Sequence, residues 1–221
     1  MGKRNHVIAI LISLMCFNYI GFAQTFVPGY YVKTSGDTVK TNVFIKKKRG
    51  YVIGLLTKAG QSFGRNDIIA MGANTTGYVV RRVSVDMSPK GPVTTDTTFL
   101  EVMGREKIAL LTMTDENDKE HFYIEDEDGS ITELVLKILD RGDGVTFQDL
   151  PVYKQTLRQL FPGCNQLFPI VERTQYTRRS IRSTYQKLYE CRYGNAPAMN
   201  SNREVVTDGG LMLGVSSGMK T

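Results

Sequence analysis

From residue 27 to about 137 the chain is a succession of short β-branched and aromatic runs, broken by Gly, Asn, Asp and Pro. An amphipathic helix needs apolar residues three and four apart over roughly ten positions; these runs are shorter and alternate instead. "GYYVKT", "SGD" and "TVKTNVFI" read as a hairpin. Val39, Thr41, Val43 and Ile45 share one face of it, and Gly36 supplies the turn. "YVIGLL", "DIIAMGA", "YVVRRVSVDM", "TTFLEVM", "KIALLTM" and "HFYIE" continue the series. Many short strands at this spacing predict a small antiparallel sandwich or a partly open barrel.

The pattern then changes. "SITELVLKIL" (130–139) opens with Ser130 and Glu133 at capping-box spacing, yet it follows Asp128-Gly129, a hairpin turn signal; a strand over 131–136 is favoured. Further on, Asp149 is placed to cap a helix with Pro151 in its first turn. Its stripe is Tyr153, Leu157, Leu160 and Phe161, and Pro162-Gly163 ends it. A second helix is expected from Thr177, with Ile181, Tyr185 and Leu188 one above another. The fold class is therefore mainly β with a C-terminal pair of α-helices. The expected organisation is a β-rich domain over 24–140 and a two-helix segment packed on it over 141–192. A linker rich in Asn, Gly and Ala over 193–210 and a short strand, "LMLGVSSGMKT", over 211–221 complete it.

The first 23 residues have a secretory layout: Lys3 and Arg4, an apolar run, then Gly21 and Ala23 before Gln24. Cys16 follows Leu14 and Met15, not the small residues that lipidation requires. Without Lys3 and Arg4 the 28 basic residues become 26 against 22 acidic, a net charge of +4. Export and so mild an excess argue against a nucleic-acid partner. Two cysteines then remain, Cys164 and Cys191, and an even count in an oxidising compartment predicts a disulfide.

No template for catalysis stands out, and neither an enzymatic activity nor a cofactor is expected. His121, the single histidine after the leader, has no partner motif near it and reads as structural. "EDEDGS" fails as an EF-hand, because with Gly129 at position six Ile124 and Val135 fall on ligand positions. "KKKR" (46–49) reads as a solvated turn between strands. The largest basic cluster, Arg178, Arg179, Arg182 and Lys187, is a candidate contact for anionic lipid headgroups. Tyr30, Tyr31, Tyr176, Tyr185, Tyr189 and Tyr193 fit either a core or a carbohydrate site. "DTT" at 96–98 and "DTV" at 37–39 match a bacterial O-glycosylation pattern, with Thr97 in an expected exposed loop and Thr38 in the hairpin.

"FVPGYYVKTSGDTVK", "LFPGC" and "YTRRSIRSTYQKLYEC" together resemble a periplasmic N-terminal domain that precedes outer-membrane β-barrels in one Gram-negative phylum. Lys40, Thr41 and Asn42 depart from that pattern, in which Gly follows the hairpin, and 46–104 agrees only in character. The resemblance implies a non-catalytic binding or assembly module in the periplasm or at the outer membrane. Its partners would be outer-membrane components or an envelope protein. It also makes 211–221 the stump of a first barrel strand, so that the chain is truncated before its barrel and does not itself span the membrane. A secreted adhesin or surface-displayed protein is the alternative, and a glycan-acting exported enzyme is the weakest reading.

Overall fold

In a computed structural model of the chain, residues 25–142 and 145–199 are described. The leader, residues 200–210 of the linker and the 211–221 strand lie outside them. Mainly antiparallel β-structure is followed by helices, as the patterning predicts. Ten strands make one sheet: β1 (Val27–Lys33), β2 (Thr38–Lys48), β3 (Tyr51–Thr57), β4 (Ser62–Phe63), β5 (Ile68–Ala73), β6 (Thr76–Asp86), β7 (Val93–Arg105), β8 (Ala109–Thr114), β9 (Glu120–Glu125) and β10 (Ile131–Leu134). Their order is β10-β9-β8-β7-β6-β5-β1-β2-β3-β4, with every neighbouring pair antiparallel. It is a meander with one rearrangement, β1 inserting between β5 and β2.

So long a sheet cannot stay flat. At one end β10 comes close to β6 without pairing with it, so β6 to β10 roll into an open half-barrel. Val79, Val83, Val85, Leu100, Ala109, Leu111 and Tyr123 fill the roll as one buried cluster. At the other end β3 lies against β7 and β8. There the hairpin face foreseen in the sequence is buried: Val43 is fully enclosed, with Val39 and Ile45 packed against a cluster of Tyr31, Leu55, Met71, Tyr78 and Phe99.

Gly29 in the "PGYYV" run has a physical reason to be glycine. It sits mid-strand in β1 between β2 and β5, and a Cβ there would stand 2.3 Å from the Gly72 carbonyl oxygen and 2.4 Å from a Val43 methyl. Backbone cannot yield as a flexible side chain can. Gly29→Ala is therefore expected to destabilise the domain by about 1–3 kcal/mol, the usual range for forced overpacking. A urea midpoint equal to that of the parent would show that β1 can shift.

The helices cover the opposite face of β8 to β10. They are α1 (Val152–Leu160), α2 (Phe168–Arg173) and α3 (Arg178–Tyr193). Tyr153, Leu157, Phe161, Ile181, Tyr185 and Leu188 meet Leu110, Phe122, Ile124 and Leu134 in a third core cluster. Cys164 and Cys191 lie 6.0 Å apart at Cα with sulfurs 2.12 Å apart, a disulfide that ties the chain after α1 to the last turn of α3. Thr177 caps α3 by accepting from the Ser180 amide, and Gly194 closes it with φ 78°.

Three expectations need correction. Asp149 does not cap α1; it lies in β12 (Phe147–Leu150), opposite Ile138 of β11 (Lys137–Asp140), and the N-cap is Pro151 with no side-chain bond. The 130–139 segment is extended, as favoured, but splits into β10 and β11, which belong to different sheets. The helices number three among the described residues, because α2 is too short to leave a periodic stripe. In the stretch expected as linker, Ala198 and Met199 meet the end of β7. The Arg105 amide donates to the Ala198 carbonyl, and Met199 bridges Gly104.

Candidate functional site

The half-barrel has charged groups at both ends of its apolar filling. At one end Arg81 pairs with Glu125 at 2.6 Å, and Arg105 adds a second contact at 3.4 Å. At the other end His121 is wholly buried between two carboxylates. Its Nδ1 is 2.7 Å from Glu133 Oε1 and its Nε2 3.3 Å from Asp115 Oδ2. With hydrogen on both nitrogens the ring donates to both acids; a neutral ring leaves one lone pair facing a carboxylate. The remaining carboxylate oxygens are also occupied. Glu133 Oε2 accepts from the Asp86 amide, and Asp115 Oδ1 from the Asn117 and Lys119 amides. Lys119 Nζ donates to the Asp86 and Ser88 carbonyls.

The cluster therefore stitches β6, the β8–β9 turn, β9 and β10 together. Burial alone would raise the Asp115 carboxyl, but its two amide bonds and His121 outweigh that and hold it below the ordinary value. Burial pushes the Tyr123 hydroxyl far up, so that it stays neutral beside these acids.

Asp115 also lines a groove of about 440 Å³ at the mouth of the roll. Ile53, Val85, Met87 and Met113 make its apolar surface, with Thr94 and Asp96 of β7 along one side and Lys48, Arg49 and Glu116 at its polar margins. Asp96 is occupied by Arg65 through contacts of 2.8 and 2.9 Å. Asp115 is engaged by His121. What the groove offers is thus an apolar floor, two basic side chains and three acids, of which Asp96 and Asp115 already have partners. That inventory suits binding.

The residues singled out in the sequence are distributed otherwise. Arg178 is already paired: it bridges Glu101 on β7 and Glu120 on β9, at 2.5 and 2.8 Å. At about 100° per residue Lys187 lies on the opposite side of α3 from Arg178. Arg179 and Lys187 are exposed, with Glu190 between them, and Arg182 is half-buried. The four do not make one basic patch. Because the Arg178 pairs are half-exposed, Arg178→Ala is expected to lower stability by less than about 1 kcal/mol, as denaturant titration would show.

Thr97 is a correction as well. It lies within β7 opposite Arg82 and is half-buried, whereas Thr38 at the start of β2 is exposed. "KKKR" is a turn only at its end. Lys46 to Lys48 belong to β2, Arg49 and Gly50 turn the chain with positive φ, and Lys46 reaches Ser62. The tyrosines are framework. Tyr185 donates to the Ile108 carbonyl and Tyr189 to Glu106, while Tyr30 and Tyr31 pack in β1. "EDEDGS" forms the β9–β10 turn, with Gly129 at φ 81°.

The His121 cluster was legible only after strand pairing. Glu133 stands directly across from Tyr123, two residues from His121, and Asp115 begins the tight turn returning to β9.

No protein-family model matches the chain, and no curated protein or solved structure is significantly similar to it. No helix among the described residues is long and apolar enough to cross a membrane, which says nothing of a crossing by strands.

Proposed function

We propose that the chain is an exported, non-catalytic binding or assembly module of the Gram-negative envelope, associated with an outer-membrane β-barrel protein. The observation that carries the reading is the bonded pair Cys164–Cys191 across the helical layer, since such bonds persist in oxidising compartments. The leader-like amino terminus and the likeness of the "GYYVKTSGD" and "YTRRSIRSTYQKLYEC" stretches to periplasmic barrel-associated domains point the same way. The non-catalytic part rests on the commitment of buried acids and histidine to one another.

Expression with its own leader in a Gram-negative host, followed by fractionation, thiol trapping and cross-linking in the envelope, tests this. The protein is expected with the periplasm or outer membrane, its thiols blocked to alkylation, and cross-linked to a barrel protein. Recovery from the cytoplasm with both thiols reactive overturns export. Recovery from the medium without any envelope cross-link favours the adhesin instead.

A further inference from the structure

Outward from Lys46 and Gly54 the β2–β3 hairpin has no other strand laddered to it among the described residues. β1 accompanies β2 only as far as Val43, and β4 covers β3 only at Leu55 and Leu56. The register between β2 and β3 shifts between Lys46 and Lys47, a bulge of the kind that bends a strand and re-aims what lies past it. The outer part, residues 47–53, comes over β7 and β8. A two-stranded ribbon with no further strand beside it is only marginally stable in water, so something else must hold it there.

The tip of this ribbon carries Lys47, Lys48 and Arg49, all exposed. It meets the β8–β9 turn: a Cβ on Gly50 would stand 3.9 Å from the Thr114 methyl and 4.0 Å from Asp118 Oδ1. Glu116 and Asp118 of that turn are exposed as well. None of these five charged side chains makes an ion pair with a described residue. The other charges at the turn are committed. Asp115 is bonded to His121, Lys119 to the Asp86 and Ser88 carbonyls, and Lys90 reaches Asn117. Three unpaired cations on the ribbon thus stand opposite two unpaired anions on the turn. The groove lies between them, with Val85 and Met113 on its floor.

We propose that residues 47–53 are a lid over the groove, held down by attraction between the basic tip and the acidic turn and released when salt screens it. Attraction without contact is the kind that salt removes most readily. The screening length falls from about 20 Å at 20 mM salt to about 4 Å at 500 mM. A lid sealed by packing or by close ion pairs would respond far less. Opening at the bulge carries Ile53 away from the groove and uncovers Val85 and Met113. Access to the apolar floor then follows ionic strength, whatever the groove receives.

Met113→Cys in the full mature chain tests this. Met113 is 8% exposed, and the substitution puts one free thiol on the floor, since Cys164 and Cys191 are bonded to each other. Alkylation of that thiol by iodoacetamide, an uncharged reagent, is expected to run about fivefold faster at 500 mM than at 20 mM sodium chloride. Adding Lys48→Glu and Arg49→Glu should give the fast rate already at 20 mM. Adding Glu116→Lys and Asp118→Asn to those should restore the slow rate, because asparagine tolerates the positive φ of 63° at position 118. A second measurement needs no new thiol: in the parent protein, amide exchange over residues 48–53 should quicken with salt while that of Leu110 and Leu111 does not. An alkylation rate indifferent to salt and to charge reversal, a charge swap that restores nothing, or exchange over 48–53 unmoved by salt overturns the proposal.

Discussion

Replacing His121 by leucine is expected to cost about 3–5 kcal/mol, the penalty for removing one partner from a buried charge cluster. Leucine fills most of the space, so the loss is polar: Glu133 and Asp115 lose the ring nitrogens that stand 2.7 and 3.3 Å from them while remaining shielded from water. The acid response follows from Asp115. Its folded carboxyl is held below the ordinary 3.8, so it contributes stability in full above that value and loses it as pH falls through the folded pKa. The parent protein should thus lose stability steeply below about pH 4. The acid slope should be shallower in His121→Leu, where one of the bonds depressing Asp115 is gone. Urea titrations of both proteins between pH 3 and 7 measure both effects. A leucine variant as stable as its parent would mean that the acids find other partners.

Removing the disulfide comes next in size. Cys164 and Cys191 are 27 residues apart, and the chain-entropy model assigns a closed loop of that length about 3.5 kcal/mol. Cys164 is buried and contacts the helical core, so Cys164→Ala with Cys191→Ala removes some packing as well. The double variant is expected to melt several degrees lower, and reductant should lower the parent similarly. If reductant lowers the parent's melting point as far as the double substitution does, the loss is the cross-link; a much smaller shift assigns it to the missing sulfur atoms.

These outcomes separate what the amino-acid order announces from what only folding assembles. The strands with one clean apolar face, such as β2, and the stripe of Ile181, Tyr185 and Leu188 are written in local periodicity and were read correctly. The disulfide followed from a count. Local signals failed where a tertiary partner overrode them. Asp149 has good capping chemistry, but a ladder with β11 claims its backbone. The aspartate and threonines around Thr97 look like a loop, yet they lie in the longest strand because β6 pairs along their whole length. Arg178 reads as part of a basic face until two glutamates on different strands meet it. The roll of the sheet, and with it the groove, depends on contacts between β6 and β10 that no window of sequence contains.

The position of the helices in the chain has a consequence for the order of events during synthesis. Leu110, Phe122, Ile124 and Leu134 are all made before α1 begins, and their cover is completed only when Leu188 and Tyr189 arrive. For the time it takes to make roughly the last quarter of the domain, the outer face of β8 to β10 is an uncovered apolar surface, the kind that aggregates or recruits a chaperone. The closing helix is also the one that carries the second cysteine. Oxidation can therefore lock the domain only after the sheet has been capped, and a chain halted before residue 191 remains open to capture by other proteins.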